Sequence, residues 1–414
     1  MHDTKGDQRV RLHLEDARTF LFRAPHRYDL IVSEPSNPWV AGVSNLFTRE
    51  FFTQAREKLS PRGILVQWFH TYETSDDVVR LVLRTAVEQF PDVRLFQSNH
   101  ADFLLVASMR PHTLDRDAAR DAFDHAATDL ASVGLTRWES LFTLEITQRE
   151  ELRALAGPGA VHTDRRPLLD FLAAEAFYTG SQARLIHEAQ FRDDQNKLLP
   201  PLHVPVAALR DWGQYQQRYQ MLPQRSNLSL LVSWLVQDPL DPQLHRIGAE
   251  FLRAHPRDLF VIQQFAAAAA EKGADQTARL RGLFAMLQLG PQPVNSRFLA
   301  MLRPLVLESQ ARARDIDLEL QFAELHLAAQ NFSQALEILD LSEGLQVMAS
   351  AEEISRRGCI RAQALEGMQR WAEALVALER CQPLDPTERQ RIEAHRRVLQ
   401  ARLASDGEKP HRDK

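Results

Sequence analysis

Cysteine is almost missing from this 414-residue chain: the only two are Cys359 and Cys381, both late in it. Two thiols cannot build a disulfide scaffold or a Cys-rich zinc module, and such sparse use fits a reducing, cytoplasmic compartment. The 15 histidines include no His-Glu-x-x-His, and no Cys-x-x-Cys occurs, so no metal site is expected. No apolar run reaches the roughly 18 residues of a membrane span, so none is expected in this chain. The opening Met-His-Asp-Thr-Lys-Gly-Asp-Gln lacks the apolar core of a signal peptide. There is no Gly-x-Ser-x-Gly elbow and no Gly-Lys-Ser/Thr loop, which argues against a hydrolase or a nucleoside triphosphatase. Gly-x-Gly-x-x-Gly is absent as well. Charge of one sign is also lacking: 50 basic residues face 55 acidic ones, leaving neither a basic field for nucleic acid nor an acidic run for cations.

What is present is ordinary globular material, with 44% hydrophobic and 25% charged residues, enough chain for two or three domains. Strands alternate with helices over 1–110. Val10, Leu12 and Leu14 alternate and suggest a strand at 9–14; 28–33 and 63–68 are short apolar runs. Between them, 47–59 and 75–90 carry apolar residues at helical spacing. Ser75, Asp76 and Asp77 form a helix start, and Phe90-Pro91 a stop. Segments 93–96 and 103–107 flank Ser98-Asn99-His100 as a hairpin. The alternation predicts a parallel sheet with an antiparallel last strand. A helical extension over 111–180 follows, broken at Gly157-Pro158-Gly159. Beyond a Pro-rich stretch (Pro200, Pro201, Pro205) the chain reads as helical over 181–404, with a disordered tail at 405–414.

Two helical segments repeat. Ala323, Gln330, Phe332, Ala335, Leu336 and Leu339 recur 39 residues later as Ala362, Gln369, Trp371, Ala374, Leu375 and Leu378. Small residues let paired helices approach, and the aromatic fills the space between them. The pattern resembles the tetratricopeptide helix-turn-helix, with a loop lengthened beyond the usual period of about 34 residues. A concave surface for a protein partner is what such repeats imply. The cysteines fall at helical positions here and are expected to be small buried packing residues.

The chemistry concentrates upstream, in Asp16-Ala17-Arg18-Thr19-Phe20-Leu21, then Tyr28-Asp29-Leu30-Ile31-Val32-Ser33-Glu34-Pro35-Ser36-Asn37-Pro38-Trp39, then Leu46-Phe47-Thr48-Arg49-Glu50-Phe51-Phe52. In open α/β sheets ligands bind beyond the carboxyl ends of strands, so Asp16 and Glu34 are expected in one crevice. Two carboxylates there repel unless a cation, an amine or an adenine amino group lies between them. Trp39, Trp68, His70 and Tyr72 would form an aromatic wall suited to a flat base or an organic cation. Each has a plainer alternative. Asp16 can cap a helix starting at Ala17, Asn37 can be a turn former, Trp39 can be packing, His70 can satisfy a backbone carbonyl, and Arg49 with Glu50 can be a helix-surface pair.

In that order and spacing, these motifs resemble the spermidine synthase family, aminopropyltransferases on the class I methyltransferase-like (Rossmann-like) fold. The likeness is to the branch found in larger fused bacterial proteins. It covers about 9–110 and extends to Thr163-Asp164-Arg165-Arg166-Pro167-Leu168-Leu169-Asp170-Phe171, similar to that branch's closing motif. The resemblance implies a co-substrate, decarboxylated S-adenosylmethionine or S-adenosylmethionine itself, a small-molecule amine acceptor and no metal. By position, Asp16 with Ala17 matches the adenine anchor, Glu34 the catalytic carboxylate, and Gln67 a polar residue at the next strand end. Asn37 matches an aspartate that holds the diamine, and Tyr72 a substrate-lining aromatic; Trp39 joins them at the acceptor pocket.

Two positions depart from the family. Glu34 stands where the family has aspartate, one methylene longer, and Asn37 replaces a charge that holds a dication. The family's Gly-rich turn and ribose-binding acid lie upstream of Asp16, where this sequence has fifteen residues. The expectation is a partial α/β sheet with a bare edge at 28–33, from a longer protein or a shortened gene model, or with that edge covered by another chain or by the repeats. Catalysis by such a chain is expected to be weak or absent. A membrane segment upstream, as in some fused relatives, would make this the cytoplasmic part of a larger protein. A non-catalytic interaction scaffold is the alternative in another class. A weaker one is methyl transfer, since Ser36-Asn37-Pro38-Trp39 is similar in part to the Asn-Pro-Pro-Trp motif of amino-group methyltransferases.

Overall fold

The structure, a computed structural model, describes residues 8–40, 42–111, 115–189, 191, 204–221, 224–271, 275–312, 315–341, 350–383 and 386–407. The chain forms two compact units, 1–221 with 225–227, and 222–224 with 228–414.

In the first unit the elements run α1 (Ala17–Arg23), β1 (Tyr28–Ser33), α2 (Arg49–Lys58), β2 (Leu59–His70), α3 (Asp76–Gln89), β3 (Asp92–Gln97), β4 (Asp102–Ser108), α4 (Arg116–Ser132), β5 (Glu145–Gln148), α5 (Arg149–Ala156), α6 (Leu168–Tyr178), α7 (Leu185–Glu188) and α8 (Val206–Arg218). Local chemistry sets the boundaries. The Ser75 hydroxyl caps α3 by accepting from the Val78 N–H, Asp76 and Asp77 sit in its first turn, and the helix ends at Phe90. Thr48 caps α2 the same way, accepting from Phe51. Apolar residues of β2, β3 and β4 alternate onto one face of the sheet. There Leu65, Phe69, Val93, Leu95, Phe103 and Leu105 share a core with residues of α2, α3, α5 and α6.

The five strands lie in the order β1-β2-β4-β3-β5. Only β1 and β2 run parallel; β2–β4, β3–β4 and β3–β5 are antiparallel. The sheet is therefore mixed rather than parallel with one reversed strand. The hairpin at 98–100 puts β4, not β3, beside β2, which makes three of the four pairings antiparallel. Strand β5 carries one aliphatic residue, Ile146, so no apolar run announced it; it forms because β3 offers a free edge. Glycine is required at Gly63, where β2 bulges beside Tyr28: a Cβ there would lie 2.7 Å from the Tyr28 carbonyl oxygen.

The strand expected at 9–14 does not form. Leu12 and Leu14 are 78% and 106% exposed. Alternation alone does not make a strand; a ladder partner is needed, and none lies beside this segment among the described residues. The strand at 28–33 is at the sheet's edge, with Leu30 56% and Val32 60% exposed.

The second unit is helical: α9 (Leu228–Gln237), α10 (Pro242–Ala254), α11 (Leu259–Ala270), α12 (Gln276–Leu289), α13 (Ser296–Arg312), α14 (Ile316–Ala328), α15 (Phe332–Leu341), α16 (Ala351–Gly367), α17 (Trp371–Leu378) and α18 (Pro386–Gly407). Helices two apart stack in rows. One row runs α10–α12–α14–α16, and α9–α11–α13 form another. The sequence repeat is structural: α14–α15 and α16–α17 are successive helix pairs, and Gln330 and Gln369 both take φ 59° in the turns. Ala323, Ala335, Ala362 and Ala374 are fully buried. Phe332 lies directly against Gly367, where a Cβ would come within 2.5 Å of its ring. The loop expected to lengthen the repeat, at 342–349, lies outside the described residues, as do Pro200 and Pro201.

Two expectations about this unit are corrected. Ser405 to Gly407 end α18 rather than begin a disordered tail; 408–414 lie outside the described residues. Cys359 and Cys381 pack in the core of the last helices as expected, but as a disulfide rather than as two free thiols, with Cα atoms 5.1 Å apart. Gly358 permits this approach, because a Cβ there would lie 2.9 Å from the Arg380 carbonyl carbon.

Candidate functional site at the strand ends

Parallel pairing brings the carboxyl ends of β1 and β2 to the same side. Ser33 pairs with Gln67, and Glu34 follows directly beyond β1. A groove of about 540 Å³ runs along β1 and is lined by His13, Ala17, Leu30, Val32 and Glu34, among others. Ala17 and Glu34 thus face one space. Asp16 caps α1, its Oδ1 accepting the Thr19 N–H at 2.7 Å. The Thr19 hydrogen bonds hold its carboxyl below the ordinary carboxylate range. Gln67 does not line this groove. It alternates with Leu65 and Phe69 toward the helix-covered core. Its Nε2 donates to the Trp68 carbonyl at 3.1 Å, and its buried Oε1 has no partner.

The four aromatics meet around His70. Tyr72 stacks on it at 4.0 Å and 19° between ring planes. Trp39 meets it edge-on at 5.1 Å, and Trp68 at 5.1 Å with a tilt. Trp39 also stacks on Phe177 of α6 at 5.0 Å. Asn37 makes a turn, its carbonyl accepting the Val40 N–H at 3.0 Å. His70 Nδ1–H donates to the Tyr72 carbonyl at 2.8 Å, which fixes the tautomer and leaves Nε2 as an acceptor. Burial lowers the His70 pKa, outweighing that carbonyl and Asp102, so the ring is neutral at pH 7. Burial, then the charges of Asp102 and Glu73, raise that of Tyr72.

The segment 162–170 braces the site. Arg18 donates twice to Asp164, at 2.9 and 2.5 Å, and this pair lowers the Asp164 pKa. The Asp164 N–H donates to Glu50 at 3.0 Å, and the His162 carbonyl accepts the Arg49 N–H at 2.9 Å. Arg49 instead reaches Glu88 at 3.6 Å, so Arg49 and Glu50 do not pair with each other. His162 is buried with both nitrogens engaged. Its Nε2–H donates to the Ser44 carbonyl at 3.0 Å, and its Nδ1 accepts the Leu169 N–H at 3.4 Å. Two motifs about 146 residues apart thereby hold each other. Among the described residues no group of three or more His, Cys, Asp or Glu is placed to hold a metal.

Sequence reasoning missed Phe177 and Asp102. No motif marks either. Asp102 is opposite His70 only because β4 pairs with β2 in that register.

The first unit is thus an α/β unit with a mixed sheet, a groove along β1 and a separate cluster of aromatic side chains around His70. Residues 1–103 match the family described as the spermine/spermidine synthase domain. The chain is 34% identical over 95 residues to a polyamine aminopropyltransferase of Lachnospira eligens, covering 22% of this chain and 33% of that protein. It is 33% identical over 95 residues to the polyamine aminopropyltransferase of Clostridium perfringens, covering 22% and 33%. To that of Buchnera aphidicola it is 29% identical over 93 residues, covering 22% and 32%. The chain spans about a third of the length of the curated relatives it matches.

Proposed function

We propose that the first unit carries a spermidine synthase-type site that transfers an aminopropyl group from decarboxylated S-adenosylmethionine to an amine. The observation that carries this is the match of residues 1–103 to the synthase domain, together with the strand-end crevice at Glu34. In the reaction a neutral amine attacks the carbon beside the sulfonium. The new C–N bond forms as the C–S bond breaks, the bonding pair goes to sulfur, and methylthioadenosine leaves. The amine's surplus proton passes to a base. Glu34 is that base, Asp16 and Ala17 hold the adenosyl side, and Asn37, Trp39 and Tyr72 hold the acceptor; Gln67, expected on the adenosyl side, is turned toward the core and takes no part. The α/β domain comprises 1–110 and is closed by 111–180. The longer Glu34, the neutral Asn37 and the absence of a Gly-x-Gly-x-x-Gly turn make transfer by this chain slow.

The test is incubation with decarboxylated S-adenosylmethionine and putrescine, with methylthioadenosine and product followed by mass. Product carrying an added aminopropyl group, lost in Glu34→Gln, supports the reading; an added methyl group would replace it with methyl transfer. Failure of methylthioadenosine to bind, or binding unchanged in Asp16→Ala, overturns it.

The stacked rows α10–α12–α14–α16 favour a second activity alongside: tetratricopeptide-type capture of a protein partner through the second unit. The proposed location is the cytoplasm. Among the described residues no helix is long and apolar enough to cross a membrane. The Cys359–Cys381 disulfide counts against a reducing compartment, so the test is whether these thiols are free in cells.

A further inference from the structure

We propose that His70 and Asp102 form the ammonium-binding end of the acceptor pocket, a role the family resemblance does not assign to either residue. This deepens the transferase reading and rests on it for the identity of the ligand as an amine. His70 ends β2 and Asp102 begins β4, and the two are direct cross-strand partners. Their side chains therefore stand on the same face of the sheet, opposite to the core residues Phe69 and Phe103. His70 is only 3% exposed. Its Nδ1–H is committed to the Tyr72 carbonyl, so Nε2 presents a lone pair, and that buried atom has no donor. Asp102 uses Oδ2 for Asn99, while its Oδ1 is also buried and without a donor. Two unfilled acceptors, one carrying negative charge, ask for a ligand rich in N–H.

The surroundings select the same chemistry. Tyr72 stacks on His70, while Trp39 and Trp68 approach its ring from other sides. Trp39, Trp68 and Tyr72 are each half-buried. Aromatic rings around His70, with the Asp102 carboxylate as its cross-strand partner, favour an organic cation over a metal ion or a neutral alcohol. The arrangement also compensates for Asn37: the negative charge missing from the loop after β1 is supplied from β4, beside the ring that Trp39 contacts. The ligand class is a primary alkylammonium, an end of a linear diamine.

The experiment titrates the full chain with putrescine, using calorimetry and the ring resonances of ¹³C,¹⁵N-labelled histidine; 5′-methylthioadenosine is titrated separately, and 1,4-butanediol is the uncharged control. Putrescine binds, the butanediol does not, and the His70 Nε2 resonance shifts. His70→Phe and Asp102→Asn each weaken putrescine about tenfold or more, His70→Gln restores part of the affinity through its side-chain acceptor, and methylthioadenosine affinity is unchanged. Binding of putrescine with no change at His70, or with wild-type affinity in His70→Phe, overturns the proposal. So does methylthioadenosine binding with no putrescine binding. Putrescine bound through His70 with no methylthioadenosine binding leaves this site standing and removes the transferase reading. The ring resonance of the unmutated protein decides the matter even where a variant fails to fold.

Discussion

The strand ends of the first unit and the arginine–carboxylate contacts of the second treat buried polarity differently, although His326 of the second unit also buries both ring nitrogens without a partner. At the strand ends of the first unit, acceptors are buried without donors: Gln67 Oε1, His70 Nε2 and Asp102 Oδ1. In the last helix pairs of the second, buried charge is matched. Arg357 and Glu319, both nearly inaccessible, lie 3.2 Å apart, and Arg356 is held by Glu324 at 2.6 Å and Asp317 at 2.7 Å. An unmet acceptor is costly in a fold unless a ligand meets it, whereas a matched pair supports a scaffold. The difference sets unmet acceptors at the strand ends against matched charge between helices.

The contrast can be broken most forcefully at its matched pair. Arg357→Ala removes the 3.2 Å contact to the buried Glu319 and is expected to cost about 3–5 kcal/mol in urea unfolding of the full chain. Removing both cysteines, which close a loop of 22 residues between α16 and the end of α17, is expected to lose about 3 kcal/mol under oxidising conditions. The same double variant should match the reduced wild type, a control that isolates the bond.

A smaller effect comes from pH. Burial, and then the neighbouring His100, lower the His187 pKa to about 4. The unfolded chain binds that proton near pH 6.5 and the folded one does not. Stability contributed by the neutral ring is therefore complete above about pH 6.5 and falls as pH drops toward about 4, by something on the order of 2 kcal/mol. His326 in the second unit, also lowered to about 4, shares this window. His187→Phe should flatten the first unit's part of the profile. A variant stabilised on lowering the pH from 6.5 would contradict the assignment. The smallest effect is expected at the bare edge. Val32→Lys should change stability by no more than about 0.5 kcal/mol while reducing self-association in light scattering. Unchanged self-association would mean that β1 is not the adhesive edge.

Much of this was legible beforehand where the signal is local. Ser75 and Phe90 bound α3 because a cap and a stop act within one turn. The 39-residue repeat was legible because each alanine meets a neighbouring helix in the same way. Strand 9–14 misled for the opposite reason: alternation describes a segment, and a strand requires a neighbour. The cysteines were legible as packing residues but not as a pair, since their bonding depends on how closely the end of α17 approaches Gly358.

The sequence by itself determined where α3 begins and ends, that a helix pair repeats after 39 residues, and which strand residues alternate onto a core face. Those are matters of periodicity and of contacts a few residues apart. Only the tertiary structure decided that β4 enters the sheet beside β2, so that Asp102 faces His70, and that Asp164 reaches back to Arg18. Strand order and register arise from long-range pairing, and a one-residue shift would turn Asp102 to the other face while leaving every local pattern unchanged.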